Sequence, residues 1–173
     1  MQSVNECFNI VCGDCLKFIK SQESKTEKFK NKNRMIKSFL IPVCFWIFKK
    51  ASKKKPLILG LSGGQGIGKT TISSIITLIL KKYFKLNIFK ISIDDFYKTR
   101  KERFFLSKKV HPLLMIRGVP GTHDTNNMSN FFKKIKSKNF KNLKLPKFDK
   151  AIDDRYKKSS WYTIKKRPDI IIF

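Results

Sequence analysis

The sequence has few acidic residues, because 12 Asp and Glu stand against 39 Lys and Arg and give a formal net charge of +27. Such a charge suits nucleic acid, an anionic membrane face or a phosphorylated ligand. The basic residues are mostly lysines scattered along the whole chain, whereas nucleic-acid binding requires a basic stripe. The composition therefore does not favour nucleic acid as the partner, although a basic, nucleotide-dependent nucleic-acid-binding module stays open as an alternative.

The sequence also lacks a long hydrophobic run. Its longest covers residues 39–48 and contains Pro42, whereas a membrane-spanning helix needs about 20 apolar residues. No N-terminal segment combines a basic start, an apolar stretch and a small-residue cleavage site. We therefore expect a cytoplasmic protein without a transmembrane segment. Lysines follow the apolar run, so it either packs on the domain as a helix, which we favour, or lies on an anionic membrane surface.

Cysteine is scarce, with four in the chain. Cys7, Cys12 and Cys15 have the C-x4-C-x2-C spacing of plant-type iron-sulfur proteins, and Cys44 would be the fourth ligand of such a site. We favour a simpler interpretation, in which Cys44 is a small buried hydrophobe and the other three are a loose thiol cluster. An iron-sulfur or zinc site is the alternative.

Residues 1–52 are predicted to form a helical and mostly polar extension that contributes no core. From residue 53 onward, short β-rich runs alternate with helical patterns, which indicates an α/β domain over residues 53–173 with a parallel sheet and flanking helices. The β-rich runs are "PLILGLS", "NIFKISI" and "DIIIF", and the helical patterns are residues 70–84 and "NFFKKIKSKNF".

A phosphate-binding loop follows the first β-rich run, where Gly63, Gly68, Lys69 and Thr70 match G-x-x-x-x-G-K-[ST]. Glycines let backbone N–H groups approach phosphate oxygens and adopt positive φ angles. Lys69 would neutralise the β and γ phosphates, and Thr70 would give its hydroxyl to Mg²⁺. The sequence thus predicts a P-loop NTPase that uses ATP and Mg²⁺. The predicted ATP-binding residues are Gly63, Gly64, Gln65, Gly66, Ile67, Gly68, Lys69, Thr70 and Thr71.

The signatures D-x-x-G and N-K-x-D of GTPases do not occur in the sequence, which favours an ATP-dependent kinase. The second β-rich run ends at "SIDD", so a parallel sheet would carry Asp94 and Asp95 at the same edge as the P-loop. A carboxylate there can accept the proton of a substrate hydroxyl and help to hold Mg²⁺. We assign Asp94 to catalysis and to the metal, with Asp95 and Tyr97 as candidate substrate contacts.

The element "RGVPGTHD" predicts a type II turn, because Pro and Gly occupy its central positions. The turn would hold Arg117 and His123 on either side. Arg117 offers a bidentate fork for a carboxylate, and His123 can donate or accept a hydrogen bond near neutral pH. Asp124 either contacts the substrate or caps a helix that starts near Asn127.

Several segments resemble the motifs of the glycerate kinase group, which is related to uridine, pantothenate and phosphoribulose kinases. They are "SGGQGIGKTT", "SIDDFYKT", "VHPLLMIRGVPGTHD", "LPKFDKAIDDR" and "RPDIIIF", within residues 40–173. The resemblance implies a P-loop kinase that uses ATP and Mg²⁺ to phosphorylate a primary hydroxyl, with D-glycerate giving 3-phosphoglycerate as the first expectation. It also implies that Lys150 and Arg155 lie near the transferred phosphate. Another acceptor, such as a nucleoside or a pantothenate-like molecule, stays open.

The resemblance also implies a sheet order of 2-3-1-4-5, in which a Glu-Gly pair follows the third strand. The sequence ends at that strand with "RPDIIIF". We therefore expect an incomplete kinase domain with its C-terminal strands missing, an open flank beside the first strand, and weak ATP binding. The sequence does not predict the oligomeric state.

Overall fold

The computed structural model describes residues 3–26, 28–51, 55–64 and 66–173. The chain forms two compact units, the first of Met1–Lys90 with Pro168–Phe173 and the second of Ile91–Arg167. We describe each unit by itself.

The first unit combines helices with a three-stranded parallel sheet. The central strand is β7 (Ile170–Ile172), which pairs with β1 (Leu57–Leu59) on one side and with β2 (Ile88–Lys90) on the other. A sheet covered by helices needs strands that are apolar on both faces, and the three isoleucines of β7 are buried. The predicted α/β class and the order of the three strands are confirmed. The helices are α1 (Val4–Ser21), α2 (Lys32–Met35), a π-helical segment (Ile36–Leu40), α3 (Ile41–Lys50) and α4 (Lys69–Lys82), and the strands are β1 (Leu57–Leu59), β2 (Ile88–Lys90) and β7 (Ile170–Ile172).

The N-terminal helix α1 belongs to the core of this unit. Its start is fixed by a capping box, in which the Ser3 hydroxyl accepts from the backbone N–H of Glu6 and the Glu6 carboxylate accepts from that of Ser3. One face of α1 is buried in the same cluster as residues of α4 and β7. The prediction that residues 1–52 contribute no core is therefore wrong, because apolar residues at helical spacing outweigh the charged ones between them. The buried residues of α1 are Cys7, Val11, Cys15 and Ile19.

The helical path from α2 to α3 continues past Pro42. Proline has no N–H to donate, and its ring clashes with the carbonyl four residues earlier. The π-helical segment accommodates this, because Ile41 donates to the carbonyl of Ile36, five residues back. The apolar run thus forms a helix that packs on the core through Leu40, Cys44 and Ile47, as the favoured interpretation predicts. Within the described residues, no helix is long and apolar enough to cross a membrane.

The cysteines are parts of the core. Cys7, Cys15 and Cys44 are buried, and burial raises the pKa of Cys7 to about 11 and that of Cys15 to about 12. Burial also raises the pKa of Cys44 far above its usual range. These groups remain protonated thiols at neutral pH and pack as small hydrophobes. The prediction of a loose thiol cluster is wrong for Cys7 and Cys15, and the described residues include no group of three or more Cys, His, Asp and Glu side chains that could hold a metal.

The second unit contains two longer helices and two short antiparallel strand pairs, β3 (Leu143–Leu145) with β6 (Tyr162–Ile164) and β4 (Phe148–Asp149) with β5 (Asp154–Arg155). The sequence predicted a long irregular stretch after "NIFKISI", but helix α5 (Arg100–Lys109) forms there, with a capping box between Thr99 and Glu102. The elements are a 3-10 helix (Ile93–Phe96), α5 (Arg100–Lys109), a 3-10 helix (Pro112–Met115), α6 (Thr125–Lys136), β3 (Leu143–Leu145), β4 (Phe148–Asp149), β5 (Asp154–Arg155), a 3-10 helix (Lys158–Ser160) and β6 (Tyr162–Ile164).

The burial of α1 predicts a specific loss of stability. Ile19 is 0% exposed and Ile10, on the same helix, is 44% exposed. We expect Ile19→Ala to lower the free energy of unfolding by about 2–5 kcal/mol, because it removes buried methyl groups and leaves a cavity. Ile10→Ala is the matched control and should change it by less than about 0.5 kcal/mol. Denaturant titration measures both, and equal effects of the two substitutions would show that α1 is not part of the core.

Candidate functional site

The phosphate-binding loop connects β1 to α4 in the first unit. Gly66 and Gly68 have φ angles of 80° and 84°, a region that favours glycine because other residues pay a steric cost there. Gly63 and Gly64 do not have positive φ angles, so the positive φ angles predicted for the loop occur at two of its four glycines. A Cβ atom on Gly63 would lie 3.1 Å from Cγ2 of Ile67, so the loop is closely folded at its start.

Helix α4 begins at Lys69, directly after Gly68. Its first backbone N–H groups have no partner within the helix, and its dipole favours an anion at this end. The Nζ atom of Lys69 donates to the carbonyl oxygens of Gly63, at 2.6 Å, and Gly64, at 2.5 Å. Lys69 therefore lies over the loop itself. The loop conformation, the helix end and this cation together fit the phosphate groups of a nucleotide.

The other predicted ATP contacts differ in exposure. Thr70 is exposed, as a hydroxyl that binds Mg²⁺ must be, whereas the side chain of Thr71 is buried and leaves only its backbone for a phosphate contact. The side chain of Ile67 is exposed. Gln65 lies outside the described residues.

In the second unit, Asp94 lies in the 3-10 helix of Ile93–Phe96. Ser92 precedes this helix, and its hydroxyl accepts from the backbone N–H of Asp94 at 3.2 Å. The Asp94 carboxylate forms an ion pair with Lys150, whose Nζ lies 2.5 Å from Oδ2. Burial raises the pKa of Tyr97, and a hydrogen bond between the side chains of Tyr97 and Asp94 adds to this rise. The structure thus brings Asp94, Lys150 and Tyr97 together.

Asp95 has a different environment from its neighbour. It is buried, and its two carboxylate oxygens accept backbone N–H groups from Phe148 and Ser92, each at 3.1 Å. Burial raises the pKa of Asp95, although both hydrogen bonds act in the opposite direction. These contacts connect the 3-10 helix to β4 and give Asp95 a structural role. The predicted contact of Asp95 with substrate has no support in them.

The predicted turn between Arg117 and His123 is present. Thr122 donates to the carbonyl of Val119 at 3.1 Å, and Gly121 has a φ angle of 94°, as the third residue of a type II turn requires. Lys98 holds the turn from outside, because its Nζ donates to the carbonyls of Gly121 and His123 at 3.1 and 2.6 Å. These hydrogen bonds fix the backbone of the turn that leads into His123.

His123 stacks on Tyr97, with ring centroids 4.1 Å apart and an angle of 22° between the rings. The two residues also form an isolated antiparallel bridge. Burial lowers the pKa of His123, with a further contribution from Lys98, while Asp94 opposes the shift. The imidazole is therefore neutral at neutral pH. Its Nε2 atom is buried and has no hydrogen-bond partner among the described residues, so a substrate hydroxyl or carboxylate could satisfy it.

Arg117 is positioned by an aspartate that the sequence analysis missed. Its Nη1 donates to the carbonyl of Lys150 at 2.8 Å and to Oδ1 of Asp153 at 3.1 Å. The other oxygen of Asp153 accepts from Nη2 of Arg103 at 2.9 Å. Asp153 therefore bridges two guanidinium groups. Its φ angle of 56° is left-handed, a conformation that Asp tolerates better than most residues.

Asp124 and Arg155 bind one another. Oδ1 of Asp124 accepts from the N–H of Asn127 at 3.0 Å, which caps α6, and its Oδ2 pairs with Nη2 of Arg155 at 3.2 Å. Arg155 also donates from Nε to the carbonyl of Tyr97 at 2.7 Å. Helix capping, one of the two predicted roles of Asp124, is therefore observed. Of the two basic residues predicted near the transferred phosphate, Arg155 is committed to these structural contacts, and Lys150 contacts Asp94.

Two functional residues, Arg103 and Asp153, were not predicted from the sequence. Arg103 is fully buried, and its position follows from the capping box that starts α5. Recognising that box would have placed Arg103 in the first helical turn. Nothing in the sequence indicates that Asp153, one of two adjacent aspartates in "IDDR", would bridge Arg103 and Arg117.

Comparison with known proteins agrees with this geometry. No protein-family model matches the chain. The chloroplastic D-glycerate 3-kinase of Arabidopsis thaliana is 30% identical over 154 residues, which are 78% of this chain and 33% of that protein. An uncharacterized kinase of Schizosaccharomyces pombe is 34% identical over 113 residues, 62% of this chain and 40% of that protein.

Similarity extends to a solved structure. The D-glycerate 3-kinase of Cryptococcus neoformans has a TM-score of 0.61 and 27% identity, with coverage of 79% of this chain and 49% of that one. The chain thus spans between about a third and a half of the length of these relatives. In sequence and in fold, the chain is therefore similar to P-loop kinases, D-glycerate 3-kinases among them.

Proposed function

We propose that the chain binds ATP through its P-loop and a small hydroxy acid through its second unit, as part of an ATP-dependent kinase that phosphorylates a primary hydroxyl. The first acceptor to consider is D-glycerate, which would give 3-phosphoglycerate. The observation that carries the proposal is the set of contacts around Asp94. Asp94 pairs with Lys150, Arg117 donates to the backbone of Lys150, and His123 stacks on Tyr97, which binds Asp94. A hydroxy acid has the hydroxyl and the carboxylate that such a cluster can receive.

The first unit supplies the nucleotide part of the mechanism. The N–H groups at the start of α4 would receive phosphate oxygens, and Lys69 would exchange the carbonyls of Gly63 and Gly64 for them. MgATP would be held by residues 63–71, with the hydroxyl of Thr70 as a metal ligand. When bound, MgATP would supply the transferable phosphoryl group, and its Mg²⁺ would offset part of the phosphate charge. Lys69 and the helix end then stabilise the negative charge of the phosphates through fixed dipoles and a fixed cation.

The second unit supplies the acceptor part. Arg117 would bind the substrate carboxylate, since its guanidinium is held by Asp153 through one nitrogen and remains partly exposed. His123 would accept or donate one hydrogen bond through its unpaired Nε2. Asp94 would take the proton of the attacking hydroxyl, while Lys150 fixes the orientation of its carboxylate. Tyr97 completes this environment through its stack with His123.

Other acceptors remain within the proposal. A nucleoside or a pantothenate-like molecule also carries a primary hydroxyl, and a P-loop and a catalytic aspartate do not define the shape of the acceptor pocket. The alternative of a nucleic-acid-binding module is supported by the net charge of +27 alone. A filter-binding titration at rising salt tests it, because nucleic acid would be retained at low salt and released with a steep dependence on salt.

The P-loop assignment predicts the effect of removing the ammonium group of Lys69. Lys69→Ala should weaken ATP binding by at least about tenfold, because it removes a charge-assisted bond to the phosphates, and it should abolish ATP turnover. Lys81→Ala is the matched control, since Lys81 is an exposed lysine at the other end of the same helix. Isothermal titration with ATP measures both. If Lys69→Ala binds ATP as tightly as the control, the P-loop assignment is wrong.

The assignment of Asp94 predicts a separation of binding from transfer. Asp94→Asn should leave ATP binding largely intact and lower the rate of phosphoryl transfer by about 10² or more, because the amide cannot accept the hydroxyl proton. Asp14→Asn is the control, since Asp14 forms an exposed ion pair with Lys82 at the same 2.5 Å distance in the first unit. Titration with ATP and a product assay give the two readouts. Loss of ATP binding with unchanged transfer would contradict the role.

A further inference from the structure

The exposed face of the helical segment from α2 to α3 carries an apolar stripe. Phe39, Val43 and Trp46 follow one another at intervals of four and three residues, so they lie on one side of the helix. They are 58%, 42% and 57% exposed. Lys50 lies on the same side of the helix, one turn after Trp46. We call the three apolar residues the outer stripe.

The outer stripe is not the face that packs on the core. Leu40, Cys44 and Ile47 make that contact and are buried. The helix therefore carries two neighbouring apolar stripes about 100° apart, and within the described ranges only the one formed by Leu40, Cys44 and Ile47 is covered. Single exposed hydrophobic residues are common on protein surfaces, but a contiguous group that includes an exposed tryptophan marks an interaction surface.

The charge around the outer stripe has one sign. From Lys28 to Ile93 the sequence contains no Asp or Glu and fifteen Lys and Arg. Two of them, Lys49 and Lys50, are exposed at the end of α3.

The acidic residues that the structure describes in the neighbouring α1 and in the loop after it have local partners. Asp14 pairs with Lys82 at 2.5 Å and Glu23 with Lys32 at 2.7 Å. The remaining acid of α1, Glu6, belongs to the cap of that helix. The surface around the outer stripe is therefore apolar in its centre and basic around it.

These charges decide between the partners that could cover the stripe. A second copy of the chain would bring its own lysines against Lys49 and Lys50, which is unfavourable because like charges would face each other. An anionic bilayer attracts the lysines, and its interface is where tryptophan is enriched.

We propose that the outer stripe and its flanking lysines bind the chain to the surface of an anionic phospholipid membrane. The helix would lie in the interface and not cross it. This proposal does not depend on the proposed kinase reaction.

Vesicle binding tests the proposal with the full chain. Flotation with phosphatidylcholine vesicles, with and without phosphatidylserine, should recover the chain only with the anionic vesicles, and rising salt should reduce the bound fraction. The chain has two tryptophans, so Trp161→Phe leaves Trp46 as the reporter. Its emission should shift to shorter wavelength on addition of anionic vesicles, because the indole leaves water.

Two sets of variants locate the contact. Phe39→Ser with Trp46→Ser should lower the partition into anionic vesicles by at least about tenfold, because it removes apolar area from the interface. Phe104→Ser with Phe105→Ser is the matched control and should have no effect, since it removes two equally exposed aromatic residues of the second unit that also lie beside lysines. Lys49→Glu with Lys50→Glu should lower the partition similarly while every apolar residue stays in place.

Several results would overturn the proposal. They are equal binding to neutral and anionic vesicles, and no binding to anionic vesicles at low salt. Unchanged binding of the Phe39→Ser, Trp46→Ser variant or of the Lys49→Glu, Lys50→Glu variant would also overturn it, as would an equal loss of binding in the Phe104→Ser, Phe105→Ser control. A chain that is dimeric without lipid and monomeric after the stripe substitutions would identify a second copy as the occupant. Retention on polyglutamate together with no vesicle binding would identify an acidic protein instead.

Discussion

The second unit depends on one buried charge. Arg103 is 0% exposed, and a buried guanidinium is very costly unless its N–H groups are paired. It donates to the carbonyls of Lys98 at 3.3 Å, Met115 at 2.8 Å and Asp153 at 2.6 Å, and to the Asp153 carboxylate at 2.9 Å. One side chain thus connects three separate segments of the unit, and its charge is balanced by one carboxylate.

This arrangement sets the geometry of the candidate acceptor site. Because Asp153 uses one oxygen for Arg103, its other oxygen is directed to Arg117. Arg117 in turn donates to the backbone of Lys150, the residue that pairs with Asp94. The candidate carboxylate-binding group and the candidate base are therefore connected by a short chain of polar contacts. Such fixed contacts let a site bind its substrate without reorganising.

The sequence predicted those features that local patterns determine. The P-loop, the parallel strands and the turn at residues 119–122 follow from glycine positions, apolar runs and a Pro-Gly pair. Burial that depends on distant segments was not predictable in the same way. The core role of α1 and the two ion pairs of Asp153 depend on residues far away in the chain, and one of the backbone contacts of Asp95 comes from β4, more than fifty residues later.

The central claim, that the second unit recognises a small hydroxy acid through Arg117, is tested most directly by comparing the binding of D-glycerate and glycerol by titration calorimetry. The two molecules share a primary hydroxyl, but only D-glycerate has a carboxylate. The account predicts that D-glycerate binds at least about tenfold more tightly than glycerol and that Arg117→Lys removes most of this difference, because lysine cannot form the bidentate contact. Equal binding of the two molecules, or a preference for D-glycerate that survives Arg117→Lys, would contradict it.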